Sequence, residues 1–532
     1  MSDINRREFV KGTGYAALGT AMAASLPGAA FAQPAPDDFD INAAFAAFMR
    51  DVGGTAQDAG GKVEFVGSDP LLRSHFRIGS CMALPAMAAG VGAAAIWRER
   101  TGQTQDLKLD VREAVWNVNP LIGVVLRQQQ AGGLIPASDP IPATLTFVPT
   151  VNGLLLQAPL GLGLPNPMTF RAFETKDGRL MNLTGAYPHL YDRVLNTLKA
   201  SPNLESITQA VRQREAVELE DSLAAVGGVG AIHRTTEEWL QHPEGRYLAT
   251  RPLIEIVKIG ESAPVPFEPR PTQPLSGIKV LSATHVIAGT TASRTLAEYG
   301  ANVLHVARDQ SFEIEALVMD VNVGMRSTFV DLRNPGQNER LAALVPATDV
   351  FVESFRGGSM ERFGFGPAEL SRKRPGIVYV SVRCYSYDGP WAQRAGFDME
   401  GLSTTGFTLA EGNGRPRFPP TLVMNDYIAG YLAAAGALAA LRRRAKEGGS
   451  YHVRVSLSRA AMWYASLGQF SSIDFDANLP ERRMTSPRTI TRPTPYGEVV
   501  RLAPQVQLSR TPGRWRDPLV AVRGSDRPVW TS

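Results

Sequence analysis

The chain has 532 residues, 44% of them hydrophobic and 20% charged, with 50 Gly and 38 Pro. That length buries more than one core and suggests two or three domains, and the composition of a loop-rich globular enzyme excludes bulk disorder. A formal charge of only +4, with Lys and Arg scattered, excludes a nucleic-acid stripe and a polybasic membrane patch.

In chain order, residues 1–32 differ in kind from the rest. Twin arginines Arg6 and Arg7 precede Phe9, Lys11, a mildly apolar run and the small-residue end Ala30-Phe31-Ala32. This pattern predicts a twin-arginine (Tat-type) export signal cleaved after Ala32, and with it a periplasmic mature chain beginning at Gln33. An N-terminal segment, 33–69, follows. Beyond the leader no stretch is expected to reach the length of an uncharged membrane span, so no membrane partner is expected. Cys81 and Cys384 are far apart, without a CxxC or a nearby His, and the seven histidines form no HxxxH pair, so no metal site is expected. Cys384, in "VYVSVRCYSY", reads as a buried thiol.

An internal repeat is visible. "SCMALPAMAAGVGAAAIWRERTGQTQDLKLDVREAVW" (80–116) lines up with "DYIAGYLAAAGALAALRRRAKEGGSYHVRVSLSRAAMW" (426–463): alanine helix, basic turn, Gly, alternating strand, small helix. Asp426 then falls opposite Ser80 or Cys81. Asp is a preferred helix N-cap, and Ser80 would be an equally good one, so the repeat leaves open whether Asp426 caps a helix or reacts.

Residues 274–382 alternate strands and helices. "GIKVLSA", "TTASRTLAEYG" and "ANVLHVA" form a βαβ pattern, continued by "GQNERLAALVPA", "TDVFVESF" and "GIVYVSV", which predicts a doubly wound parallel α/β sheet. No GxGxxG follows the first strand, so a dinucleotide site is not supported. The loops at the strands' carboxyl ends, "THVIAGT", "ARDQ", "SFRGG" and "RCYSYDG", carry Arg308 and Arg356 and are where a phosphate-bearing ligand should sit.

In order and spacing, "PLSGIKVLSATHVIAGTTASRTLAEYGANVLHVAR", "VDLRNPGQNERLAALVPATDVFVESFRGGSMERFGFGPAEL", "GIVYVSVRCYSYDGPWAQRAGFDMEGLSTTG" and "NDYIAGYLAAAGALAALRRR" resemble the family III CoA-transferases, which include formyl-CoA and carnitine CoA-transferases and the α-methylacyl-CoA racemases. The resemblance is nearly continuous from 274 to 463 and fainter over 161–260. It implies a Rossmann-like large domain with a smaller α+β domain, rearranged so that a degenerate repeat of the large domain (70–160) and the small domain (161–270) precede the α/β domain (271–470), with a C-terminal irregular strap (471–532). It also implies coenzyme A, as acyl-CoA, for the cofactor, a carboxylic acid as second substrate, and an intertwined homodimer.

The same resemblance places Asp426 at the family's catalytic aspartate, a carboxylate that attacks the thioester and forms a mixed anhydride. It places Val286, Ile287, Ala288, Arg308, Arg333, Ser354, Arg356 and Arg362 in segments lying along CoA, and Asp398 beside the acyl pocket. Three departures stand against it. Phe397 occupies the position of the racemases' catalytic His, which disfavours the rival reading of an acyl-CoA racemase or isomerase. Ala307 replaces the usual acid after the second strand and His285 the usual Arg of the first loop, which implies that CoA is bound differently or poorly; Ala307, Phe397 and the Ser80/Cys81 repeat favour a second rival, a non-catalytic CoA-binding homologue. The glycine-rich loop of the formyl-CoA branch has no counterpart unless "PLGLGLPNP" (159–167) serves.

Overall fold

The structure, a computed structural model, describes residues 39–123, 127, 147–155, 166–308 and 315–531. The predicted leader and most of the segment 159–167 lie outside them.

The alternating apolar runs after residue 274 build the central sheet. Its strands, in spatial order, are Arg326–Phe329, Asn302–Ala307, Lys279–Ala283, Val350–Glu353, Val378–Arg383, Ser450–Ser456 and Glu255–Gly260. All neighbours are parallel except the last pair, which is antiparallel. Period-two alternation divides their side chains between two cores. Val280, Val350, Val352, Val378 and Val380 join the core that contains the long helix Asn425–Glu447, while Leu281, Phe351 and Tyr379 face Leu341 and Leu370 on the other side. A sheet covered on both faces accounts for the near-continuous apolar strands. Strand order reverses beside Lys279–Ala283, and the crevice at that reversal is where parallel α/β sheets receive ligands.

The strand Glu255–Gly260 lies within the range expected for the small domain, yet pairs with the central sheet. Residues 172–232 form a separate antiparallel sheet, Ala172–Glu174, Leu180–Leu183 and Gly230–Ile232, with its own core around Met181, Val194 and Leu219. The C-terminal segment is more regular than a strap: Thr489–Thr494 and Gly497–Leu502 form a hairpin on Thr150–Val151, and Gln507–Leu508 pairs with Gln105–Asp110.

The two aligned alanine-rich segments become two long helices, Ile78–Thr101 and Asn425–Glu447, which pack on each other. A Cβ on Gly92 would meet Leu438 at 3.0 Å, and Glu99 bonds both Arg442 (3.0 Å) and Lys446 (2.8 Å), so they run side by side in the same direction. Among the described residues Ile78–Thr101 is long and apolar enough to cross a bilayer, against the expectation that no stretch has that length. The fold accounts for its composition, since nearly the whole helix is buried. The strands that follow the two helices differ: Ser450–Ser456 is buried in the central sheet, whereas Gln105–Asp110 keeps one exposed face in a smaller sheet with Gly60–Val66.

Small residues also let the helix Ala288–Glu298 approach Asn425–Glu447. A Cβ on Gly430 would lie 2.5 Å from the Thr291 Cβ and 2.8 Å from the Ala288 carbonyl oxygen. Gly430→Ala is therefore expected to destabilise the protein by about 1–3 kcal/mol through overpacking, measured as a lowered denaturation midpoint at unchanged slope.

Candidate active site

A cavity of about 560 Å³ opens at the carboxyl ends of the parallel strands. The loop after Lys279–Ala283 and the loop after Val350–Glu353 meet at its back. The His285 N–H donates to Ser354 Oγ (3.1 Å), and Ser354 Oγ donates to the His285 carbonyl (3.2 Å). Val286 has φ 59°, a left-handed conformation that a β-branched residue adopts only under strain, so packing dictates the backbone path here.

Of the residues singled out in the sequence, Asp426, Val286, Ile287, Ala288, Arg308, Arg333, Ser354, Arg356 and Arg362 all line this cavity. Ala307, His285 and Phe397, the three departures, line it as well. Asp398 does not. It is 2% exposed, and its Oδ2 accepts hydrogen bonds from the backbone N–H groups of Met424 (2.9 Å) and Asp426 (3.0 Å). Asp398, expected beside the acyl pocket, is thus not among the residues lining this cavity; its Oδ2 is engaged at the start of the helix Asn425–Glu447.

This arrangement also answers the capping question. The N-cap residue of that helix is Met424, which supplies no side-chain cap, and Asp426 stands in the helix's first turn. The acceptor that satisfies these N–H groups comes from 28 residues upstream, so Asp426 is relieved of capping. The equivalent place in the other long helix is built the same way. Asp69 Oδ1 accepts from the Gly79 N–H (3.0 Å), and Asp69 Oδ2 accepts from the Ser80 N–H and hydroxyl (both 2.7 Å). Here the residue opposite Asp426 is a serine bound to its cap.

Asp426 is 9% exposed at the cavity wall. Burial, and then the nearby Glu400 carboxylate, push its carboxyl group up to about 7. Asp398 is driven well above the usual carboxylate range by burial and by Asp426. Glu400, fully buried, is held by Asn182 Nδ2 and Thr184 Oγ1 (2.6 Å each) and by the Phe397 N–H (3.0 Å). On the other side of Asp426, the Tyr427 hydroxyl donates to Asp320 Oδ2 (2.8 Å), and Asp320 also receives Arg294 (3.3 Å) and Arg501 (3.1 Å), so a buried ion cluster fixes the helix's rotation.

Sequence reasoning missed the opposite wall. Tyr187, His189, Leu190 and Arg193, from the segment that resembled the family only faintly, face the cavity, with the Tyr187 ring 5.2 Å from that of His285 and 6.0 Å from that of Phe397. No motif marks them, because the contact joins segments far apart in the chain. Cys384 also lines the cavity, and burial pushes its thiol well up, in keeping with an inert buried sulfur. Among the described residues no three His, Cys, Asp or Glu side chains are grouped to hold a metal ion.

The family model for CoA-transferase family III matches residues 275–487. Over this segment the chain is similar to CoA-transferase family III. Among its relatives, an acyl-CoA transferase of Gibberella moniliformis is 33% identical over 322 residues, 55% of this chain and 56% of the relative. The acetyl-coenzyme A transferase nodX of Hypoxylon pulicicidum is 31% identical over 315 residues, covering 55% and 53%. The crystal structure of Rv3272 from Mycobacterium tuberculosis shares 30% identity over 36% of this chain and 56% of that one, with a TM-score of 0.35. The chain spans about half the length of the curated relatives it matches. The segment that the family model matches contains Asp426 and every cavity residue contributed by the parallel strands, while the Tyr187 wall lies before it.

Proposed function

We propose that the protein transfers coenzyme A between an acyl-CoA and a carboxylic acid, with Asp426 as nucleophile. The observation that carries this reading is a buried carboxyl group, free of capping duty, at the wall of a cavity bordered by arginines at the carboxyl ends of parallel strands. Asp426 in its ionised form attacks the thioester carbonyl, the C–S bond breaks, and CoA leaves as thiolate, giving an aspartyl–acyl anhydride. The thiolate then attacks the aspartyl carbonyl and releases the first acid. The incoming carboxylate repeats the two steps in reverse order, so that no proton or electron is gained or lost overall. Residues 286–288, 308, 333, 354, 356 and 362 would hold CoA.

Incubating the protein with a panel of acyl-CoA thioesters, with hydroxylamine to trap the anhydride, should place a mass adduct on Asp426; no adduct with any thioester would remove the proposal. Arg356 and Arg362 are exposed at the rim and make no hydrogen bond or ion pair through their guanidinium groups among the described residues. Arg356→Ala is expected to raise KM for acyl-CoA about tenfold with kcat little changed, and less so at high salt, as loss of a phosphate contact predicts.

Three further readings belong with this one. The parallel long helices with their matched Asp69 and Asp398 caps support an origin of residues 70–160 as a degenerate copy of the α/β domain. The homodimer rests on the family resemblance and is tested by solution mass. The Tat-type leader and periplasmic location rest on residues 1–32 and are tested by N-terminal sequencing of the native protein.

A further inference from the structure

The acyl group is legible in the surroundings of Asp426. Phe397 adjoins Asp398, whose carboxyl group binds the Asp426 N–H at 3.0 Å. Cys384 lies against Phe397, its Sγ 3.5 Å from the Phe397 carbonyl oxygen. The Ala288 carbonyl abuts Gly430, one helical turn beyond Asp426, which brings Ile287 and Ala288 to the same face. With Leu457 these residues make an apolar lining beside the carboxyl group.

Four of the cavity's arginines are bonded within the protein. Arg383 pairs with Glu353 (3.2 Å), Arg333 with Asp331 (2.6 Å), and Arg394 with Asp221; Arg193 donates to the Gly227 carbonyl (2.8 Å). Arg308, Arg356 and Arg362 are exposed at the rim. Among the described residues no cation offsets the burial and the Glu400 charge that act on Asp426.

We infer, resting on the proposed transfer, that the acyl group received beside Asp426 is an apolar monocarboxylic one, and that the site rejects acyl groups bearing a second carboxylate. Such a carboxylate would meet the Asp426 and Glu400 charges among apolar side chains, with no described cation acting on Asp426 to offset them. Discrimination of this kind comes from what the pocket withholds as much as from what it offers.

Butyryl-CoA and succinyl-CoA test it, since both carry four-carbon acyl chains that differ in a terminal methyl or carboxylate. The readout is the single-turnover rate of hydroxylamine-trapped labelling at Asp426. Butyryl-CoA should label at least about a hundredfold faster than succinyl-CoA. Phe397→Arg, which places a cation beside the site, should shrink that ratio at least about tenfold by speeding succinyl-CoA. Equal or faster labelling by succinyl-CoA in the unmodified protein overturns this inference and leaves the transferase reading standing. Labelling by neither thioester overturns this inference, and the transferase reading falls with it only when no thioester of the wider panel labels Asp426.

Discussion

Asp426→Asn is expected to lose acyl exchange by at least about a thousandfold while the protein becomes more stable at pH 8, because the amide keeps the shape of the carboxyl group but cannot form the anhydride. The stability sign follows from burial. A carboxyl group whose pKa rises from 3.8 unfolded to about 7 folded costs stability as pH climbs through that window, and the cost is fully present above about 7. Asparagine carries no such cost, so the variant's melting temperature should exceed the parent's at pH 8 and approach it near pH 4. Exchange by the parent protein should rise with pH through a midpoint near 7 as Asp426 ionises. Thermal scans and exchange rates across that range check both limbs. A variant with unchanged turnover would exclude Asp426 from the chemistry.

The second large effect is at Asp398. Asp398→Ala leaves the N–H groups of Met424 and Asp426 buried without their acceptor, a cost of about 1–3 kcal/mol for each unsatisfied group. The melting temperature should fall by several degrees. Exchange should fall about a hundredfold, since a displacement of about 1 Å at a reacting group costs that much. Asp398→Asn retains an acceptor oxygen, and burial already holds the native carboxyl group well toward its neutral form. The asparagine variant should therefore keep most of the stability and activity. An alanine variant with normal exchange would show that helix-start hydrogen bonds do not position Asp426.

What could be read in the sequence, and what could not, divides by the range of the interaction. "GIKVLSA", "ANVLHVA" and "GIVYVSV" are strands because apolar runs bounded by Gly are local signals, and the loops that follow them line the cavity as expected. Asp426 stood out because an acid before a long alanine run is locally conspicuous. The role of Asp398 was hidden because it is defined by partners 26 and 28 residues away, across a turn with no pattern of its own. The Tyr187 wall was hidden for the same reason at longer range, since its ring meets those of His285 and Phe397, both far away in the chain. The hairpin at 489–502 escaped notice because half-exposed Arg- and Pro-rich strands lack clean alternation.

The parallel course of the two long helices has an electrostatic consequence. Each helix carries a macrodipole worth roughly half a positive charge at its N-terminus. Antiparallel neighbours would cancel these fields, but two parallel helices gather them at one end. Asp69 and Asp398 stand at those ends, each accepting backbone N–H groups, and burial raises both carboxyl groups toward the neutral form, so neither cancels the positive potential. What is left favours ionisation of a carboxyl group in the first turn and opposes the effect of burial on Asp426. The helix whose own position 80 holds only a hydroxyl thus helps to charge the carboxylate of its neighbour, acting on the site through its field instead of through a side chain.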